Sequence, residues 1–220
     1  MKSTAKVDIA SRIDHTILHG DTTLAQVKKL CKEALDNGFA AVCVPPLYVQ
    51  DAFKMLEETK VKIATVVGFP LGYSPTSAKV EEAKAAFTAG ADEVDMVLNV
   101  AAFKSDRMSY VKNDIQSVVT AAHIHGKIVK VIIETALLTE KEIIKACELC
   151  ASVEADFVKT STGFAGAGAT VEHVKLIRSV LPQQVKIKAS GGIKTREFAL
   201  ELIDAGADRL GTSSGTKLLL

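Results

Sequence analysis

No run of about 18 consecutive apolar residues occurs in this sequence, so no membrane-spanning helix is expected. The opening stretch MKSTAKVDIASRIDHTILHG lacks a continuous apolar core, so a cleaved export signal is not expected either. Charge of one sign is missing too. Against 27 Lys and Arg stand 26 Asp and Glu, for a net charge of +1, and no basic stripe gathers along the chain. That speaks against a nucleic-acid partner and leaves room for a small anion held by a local site. Cysteine is scarce, with four residues at 31, 43, 147 and 150. Cys147 and Cys150 have C-x-x-C spacing, but they fall in a helical pattern with no second pair and no flanking histidine. Packing on a helix's apolar face is preferred to a redox or metal role. His15 with His19, and His123 with His125, lack a carboxylate cluster of metal-ligand spacing, so neither metal nor other cofactor is expected. A reduced, cytoplasmic protein is the simple expectation.

No Pro/Gly/Ser-rich linker divides residues 1–220, which read as a single domain. What recurs is a helical stretch closed by a Gly or small-residue turn and followed by a short apolar strand. The turn Ala-Gly-Ala-Asp appears at 89–92 and again at 205–208. A glycine just past a helix supplies its left-handed cap. The pattern predicts strands at 12–17, 40–44, 62–67, 93–98, 128–134, 157–160, 185–189 and 209–211. Helices are predicted at 23–35, 47–58, 76–88, 109–123, 140–150, 171–180 and 195–204, with a truncated last helix at 215–220. Strict alternation implies parallel strands joined by right-handed crossovers. Eight units fit an α/β fold of one kind, a single (β/α)8 TIM barrel. An open doubly wound sheet is the rival, but the G-x-G-x-x-G turn that often follows its first strand is absent.

In such barrels the chemistry sits at the C-terminal ends of the strands. Lys159 ends the apolar sixth strand and precedes Thr160-Ser161-Thr162-Gly163. On the seventh strand, Val185, Ile187 and Ala189 share one face and Lys186 and Lys188 the other. Turning the apolar face to the helices points Lys188 inward. Asp95 lies mid-strand in Glu-Val-Asp-Met-Val. An amine attacks a carbonyl only when unprotonated, and a free lysine is almost wholly protonated at neutral pH. A neighbouring ammonium and an apolar setting both lower its pKa, so Lys188 could activate Lys159, with Asp95 shuttling protons. Singly, each has an ordinary alternative: a snorkelling lysine, or an internal salt-bridge partner.

Gly191-Gly192 after strand seven and Gly211-Thr212-Ser213-Ser214-Gly215 after strand eight suggest a phosphate site, against the reading of two ordinary glycine turns. Gly163 and Thr160 join these as candidate substrate contacts. Asp14 could touch a substrate hydroxyl or a lysine, and a structural salt bridge is as good a reading. Lys130 and Glu134, four residues apart on one strand face, are expected to belong to an internal charge network, and Cys43 to pack.

Taken together, Asp-His-Thr at 14–16, Ala-Ala-Val-Cys-Val at 40–44 and Val-Gly-Phe-Pro-Leu-Gly at 67–72 are familiar. So are Glu-Val-Asp-Met-Val-Leu-Asn at 93–99, Lys-Val-Ile-Ile-Glu-Thr at 130–135 and Asp-Phe-Val-Lys-Thr-Ser-Thr-Gly-Phe at 156–164. With Lys-Ala-Ser-Gly-Gly-Ile at 188–193 and Gly-Thr-Ser-Ser at 211–214, they resemble the deoxyribose-phosphate aldolase family over nearly the whole chain. The resemblance implies a metal-independent class I aldolase of deoxyribonucleotide catabolism. Such enzymes interconvert 2-deoxy-D-ribose 5-phosphate with acetaldehyde and D-glyceraldehyde 3-phosphate. It implies Lys159 as the Schiff-base lysine, Lys188 as its perturbing neighbour and Asp95 in proton transfer. It also implies Gly191, Gly192, Ser213 and Ser214 at the phosphate. Some members carry a lysine where this chain has Phe164, and some have a C-terminal tail ending in Tyr, where this sequence has Leu220. The expected partners are the sugar phosphate, acetaldehyde and, as a candidate, a second copy of the chain in a homodimer. The rival readings are a transaldolase-like Schiff-base barrel and a non-catalytic sugar-phosphate sensor.

Overall fold

Short strands alternate with amphipathic helices and the strands close on themselves. In this computed structural model, which describes residues 8–220, eight parallel strands pair in chain order and the last returns to the first. The strands are β1 (Ile13–Thr16), β2 (Ala41–Cys43), β3 (Lys62–Val67), β4 (Glu93–Val97), β5 (Ile128–Ile132), β6 (Phe157–Lys159), β7 (Lys186–Ser190) and β8 (Arg209–Thr212). The helices are α1 (Leu24–Asn37), α2 (Val49–Leu56), α3 (Thr76–Thr88), α4 (Val100–Lys104), α5 (Met108–His123), α6 (Glu140–Ser152), α7 (Val171–Val180) and α8 (Arg196–Asp204). The expected (β/α)8 barrel is therefore the fold.

Alternation along each strand divides the protein into two interiors. Val94 and Met96 of β4, Val129 and Val131 of β5, and Ile187 and Ala189 of β7 belong to the large apolar core between barrel and helices. The residues between them, including Asp95, Lys130 and Lys188, meet inside the barrel. Leu18, Cys43, Ala64, Val66 and Phe69 form a separate, smaller apolar group.

The helices start where local chemistry starts them. Thr23 and Thr139 open α1 and α6 with reciprocal capping boxes to Gln26 and Glu142, each cap worth about 1 kcal/mol. Gly38 ends α1 in the left-handed region at φ 66°. The Cys147 and Cys150 side chains are buried on α6, as packing residues.

The pattern missed one element. Five-residue α4 is too short to show an apolar repeat, and Asn99 starts it by accepting from the Ala102 amide at 3.0 Å. Two expectations are corrected. Residues Gly215–Leu219 form a 3-10 turn in place of a truncated α-helix. Strand β5 ends at Ile132, because Glu134 turns into the left-handed region at φ 56°. The face shared by Lys130 and Glu134 is thereby lost, and the internal charge network includes Lys130 but not Glu134. Lys130 instead bonds Asp95, and Glu134 accepts from the amide of Thr162 at 3.2 Å and from its hydroxyl.

Candidate active site

The barrel register sets the lysines side by side. Lys159 of β6 stands directly opposite Lys188 of β7, and Asp95 of β4 opposite Lys130 of β5. Inside the barrel the amines of Lys159 and Lys188 converge on one oxygen, Asp95 Oδ2, at 2.7 and 2.6 Å. The other carboxylate oxygen, Oδ1, takes Lys130 at 2.8 Å. All four groups are buried, with Lys159 at 3% exposure and the others at 0%. Gly211 makes room for this. A Cβ there would lie 3.0 Å from Lys188 Cε and 2.9 Å from Ser190 Cβ, so a larger residue would push Lys188 off its line to Asp95.

A second layer lies at the start of the strands. Lys188 also pairs with Asp14 at 2.5 Å, and Lys130 with Glu93 at 2.5 Å. Arg209 closes the ring, its Nε 2.6 Å from Asp14 Oδ1 and its terminal nitrogens 3.4 Å from both Glu93 oxygens.

These contacts decide where protons rest. Burial lowers the Lys159 pKa, the Lys188 charge adds to the lowering, and Asp95 opposes it. For Lys188, burial works against the charge, but Asp14 and Asp95 outweigh it and hold its pKa well above the usual lysine range. Burial would raise the Asp95 pKa, yet Lys130, Lys159 and Lys188 together hold it well below the usual value. Asp14 likewise falls to about 2, burial being outweighed by Lys188, Arg209 and Lys130. Lysine-to-lysine repulsion is thus the lesser of two causes favouring neutral Lys159, with burial the greater.

Lys159 opens to a cavity of about 190 Å3 at the C-terminal ends of β1, β6, β7 and β8. It is lined by Gly191, Gly192, Gly211 and Ser213, by Gly163 and Phe164, and by Thr16, Leu18 and His19. Gly191 and Gly192 turn with φ 86° and 77°, a conformation that favours glycine. Gly191 is also pinned by Gly168, whose own Cβ would lie 2.1 Å from the Gly191 carbonyl oxygen. Phe164 meets Phe69 edge-on at 5.2 Å.

Lys188 and Asp95 lie in the barrel interior beneath this cavity, and three of the candidate substrate contacts do not line it either. Asp14 lies in the charged layer. Thr160 is fully buried, its hydroxyl exchanging bonds with Ser190 across β6 and β7. Ser214 stands behind Ser213, with its amide on Thr212 Oγ1 at 2.9 Å. Conversely, Lys194 lines the cavity two residues beyond Gly192. Its position in the loop after β7 was the available signal.

The fold and site define a closed (β/α)8 barrel with three buried amines gathered on one interior carboxylate, beneath a cavity at its C-terminal mouth. Residues 9–219 match the model of the DeoC/LacD family aldolases. The chain is 55% identical over 216 residues to the deoxyribose-phosphate aldolase of Thermococcus kodakarensis, spanning 97% of this chain and 96% of that protein. Identity to the deoxyribose-phosphate aldolase of Caldanaerobacter subterraneus subsp. tengcongensis is 50% over 219 residues, covering 99% and 95%. In structure it is similar to the tetrameric deoxyribose phosphate aldolase of Aeropyrum pernix, with TM-score 0.90, 36% identity and coverage of 96% and 89%. Orotidine 5'-phosphate decarboxylase of Pyrococcus horikoshii, 20% identical with TM-score 0.62, shares the fold alone. The chain belongs to the DeoC/LacD aldolase family and is a lyase.

Proposed function

We propose that this enzyme reversibly cleaves 2-deoxy-D-ribose 5-phosphate to acetaldehyde and D-glyceraldehyde 3-phosphate through a Schiff base on Lys159. The observation that carries this is a buried lysine, its pKa lowered by burial and by Lys188, opening onto a cavity that glycine and serine loops also line. The names of the relatives supply the substrate class.

Neutral Lys159 attacks the C1 aldehyde of the open-chain sugar, and the carbinolamine loses water to give an iminium. Asp95 Oδ2, bonded to both amines, bridges proton transfer between Lys188 and the carbinolamine oxygen. The C3 hydroxyl loses its proton to a basic group of the site as the C2–C3 bond breaks and C3 becomes an aldehyde. The electron pair of that bond forms the C1=C2 double bond of an enamine, and the iminium π pair moves onto the Lys159 nitrogen. Glyceraldehyde 3-phosphate departs. The enamine takes a proton on carbon, and water releases acetaldehyde and free Lys159. No step calls on a metal or cofactor.

The phosphate sits against Gly191, Gly192, Gly211 and Ser213, whose small side chains let backbone amides approach. Lys194, which lines the same cavity, supplies a cation at this end. The enzyme works in the cytoplasm on these soluble substrates.

The test is reductive trapping. Incubation with deoxyribose 5-phosphate and borohydride, then peptide mass spectrometry, should place a two-carbon adduct or a sugar adduct on Lys159. Lys159→Ala should remove both adduct and turnover while the circular dichroism spectrum is retained. An adduct on Lys188 would overturn the assignment.

A further inference from the structure

Among the described residues, seven charged side chains gather inside the barrel: the carboxylates Asp14, Glu93 and Asp95, and the cations Lys130, Lys159, Lys188 and Arg209. They are not equally tied. Lys130 pairs with Glu93 and Asp95 and lies 4.0 Å from Asp14, Lys188 pairs with Asp14 and Asp95, and Arg209 with Asp14 and Glu93. Each of these three cations therefore meets at least two carboxylates. Among the described residues Lys159 pairs with Asp95 alone, on an oxygen that Lys188 already occupies. Three carboxylates are balanced by three well-tied cations, and the fourth cation, Lys159, is the surplus.

A buried surplus charge is costly, and the group held most weakly gives up its proton. We propose that Arg209 and Glu93, neither of which lines the cavity, set the charge of Lys159 by fixing the count of ionised groups in the barrel interior. They are positioning residues acting through Asp14 and Lys130. The proposal rests on the Schiff-base reading of Lys159.

The other groups facing this interior do not upset the count. Cys43 of β2 is held as a neutral thiol by burial and by Asp95. Strand β3 contributes Ala64 and Val66, with no titratable group. At the mouth, Glu134 is bonded to Thr162, and His19 and Lys194 line the open cavity. The directions of titration agree with the count: Lys130, Lys188 and Arg209 are all pushed up, and Lys159 alone of the four is pushed down.

Single charge changes then have opposite signs. Arg209→Met leaves three carboxylates against Lys130 and Lys188, so Lys159 becomes the third cation and keeps its proton to higher pH. Glu93→Gln leaves two carboxylates against three tied cations, so Lys159 loses its proton at lower pH. The double variant restores the balance, and Arg209→Lys preserves it.

The Lys159 pKa is read in two ways: the pH at which kcat/KM rises, and competitive trace acetylation with acetic anhydride, followed by mass spectrometry of the Lys159 peptide. The expected shifts are about one unit or more, upward for R209M and downward for E93Q. E93Q/R209M should return near the wild-type position, and R209K should hold it even where the rate falls. A pH-independent loss in every variant, or a double variant displaced further than either single one, overturns the proposal and leaves these residues structural. Should R209M not fold, the direction of shift in E93Q decides alone: downward supports the proposal, and no shift or an upward one overturns it. Acetylation uses no substrate, so it tests the count independently of whether trapping lands on Lys159.

Discussion

At the scale of single residues, the catalytic proposal implies a cost in stability. Lys159 is charged in the unfolded chain, while its folded pKa is lowered by burial, with Lys188 adding to the effect. The unfolded state therefore binds more protons between the two pKa values, and stability rises with pH across that interval. At neutral pH the protein carries this cost for the sake of a reactive amine. Lys159→Met, which removes the charge and keeps the bulk, should raise the thermal midpoint at pH 7 while abolishing turnover. Asp95 retains Lys130 and Lys188 as partners in that variant. The gain should shrink as pH approaches 10, where the unfolded lysine also loses its proton. Melts at pH 7 and pH 9.5 check this, and a midpoint lower than wild type at pH 7 would contradict it. The inward lysines were legible from alternation alone, since Lys186 and Lys188 share a strand face. The partners of Lys130 were not. Counting parity to Glu134 assumed a strand that ends at Ile132. Glu93 shares its face with Asp95, and Arg209 with Gly211, so the same parity rule could have found the lower charged layer.

At the scale of elements, the β/α alternation was readable because each strand is apolar and each helix periodic. Boundaries moved by a residue or two, and only α4 escaped. The mouth of the barrel was less legible, because loop residues carry no period. Glycines after β7 and β8 mark loops that line the cavity, but Thr160 and Ser214, which do not line it, look in sequence just like the residues that do. The distinction is testable. Ser213→Asp places a negative charge in the cavity wall and should raise KM for deoxyribose 5-phosphate by about tenfold or more, from the Coulomb repulsion of close like charges. Lys194→Met should raise it by a smaller factor, since an exposed cation contributes at most about 1 kcal/mol. Neither should change KM for unphosphorylated deoxyribose. Equal losses for both sugars, measured side by side, would indicate general damage to the site in place of a phosphate contact.

At the scale of the whole molecule, the barrel interior is charged where many barrels stack branched apolar residues in layers. Replacing that packing with a ring of ion pairs ties the stability of the fold to the ionisation of its carboxylates. Asp14 sits near 2 in the folded protein, against an ordinary value of 3.8, because the fields of Lys188, Arg209 and Lys130 overcome its burial. Asp95 is depressed in the same direction by Lys130, Lys159 and Lys188, again against burial. A carboxyl whose folded pKa is lowered contributes stability above its unfolded pKa and loses it as pH falls through the folded one. For Asp14 that is about 2 kcal/mol, present at pH 5 and lost between roughly pH 4 and pH 2. On the basic side, burial opposes the charges of Lys130 and Lys188, but their carboxylate partners raise both pKa values. Their contribution therefore persists through neutral pH and starts to fail only where unfolded lysine titrates, near pH 10. Urea unfolding measured from pH 7 to pH 2.5 should show a plateau down to about pH 5 and a steep fall below pH 4. In Asp14→Asn the plateau should be lower and the fall shallower, because one of the protons that drives it has no site. A wild-type free energy that stays level from pH 5 to pH 2.5, or a D14N slope equal to that of the wild type, would mean that the charged ring does not govern the acid limb.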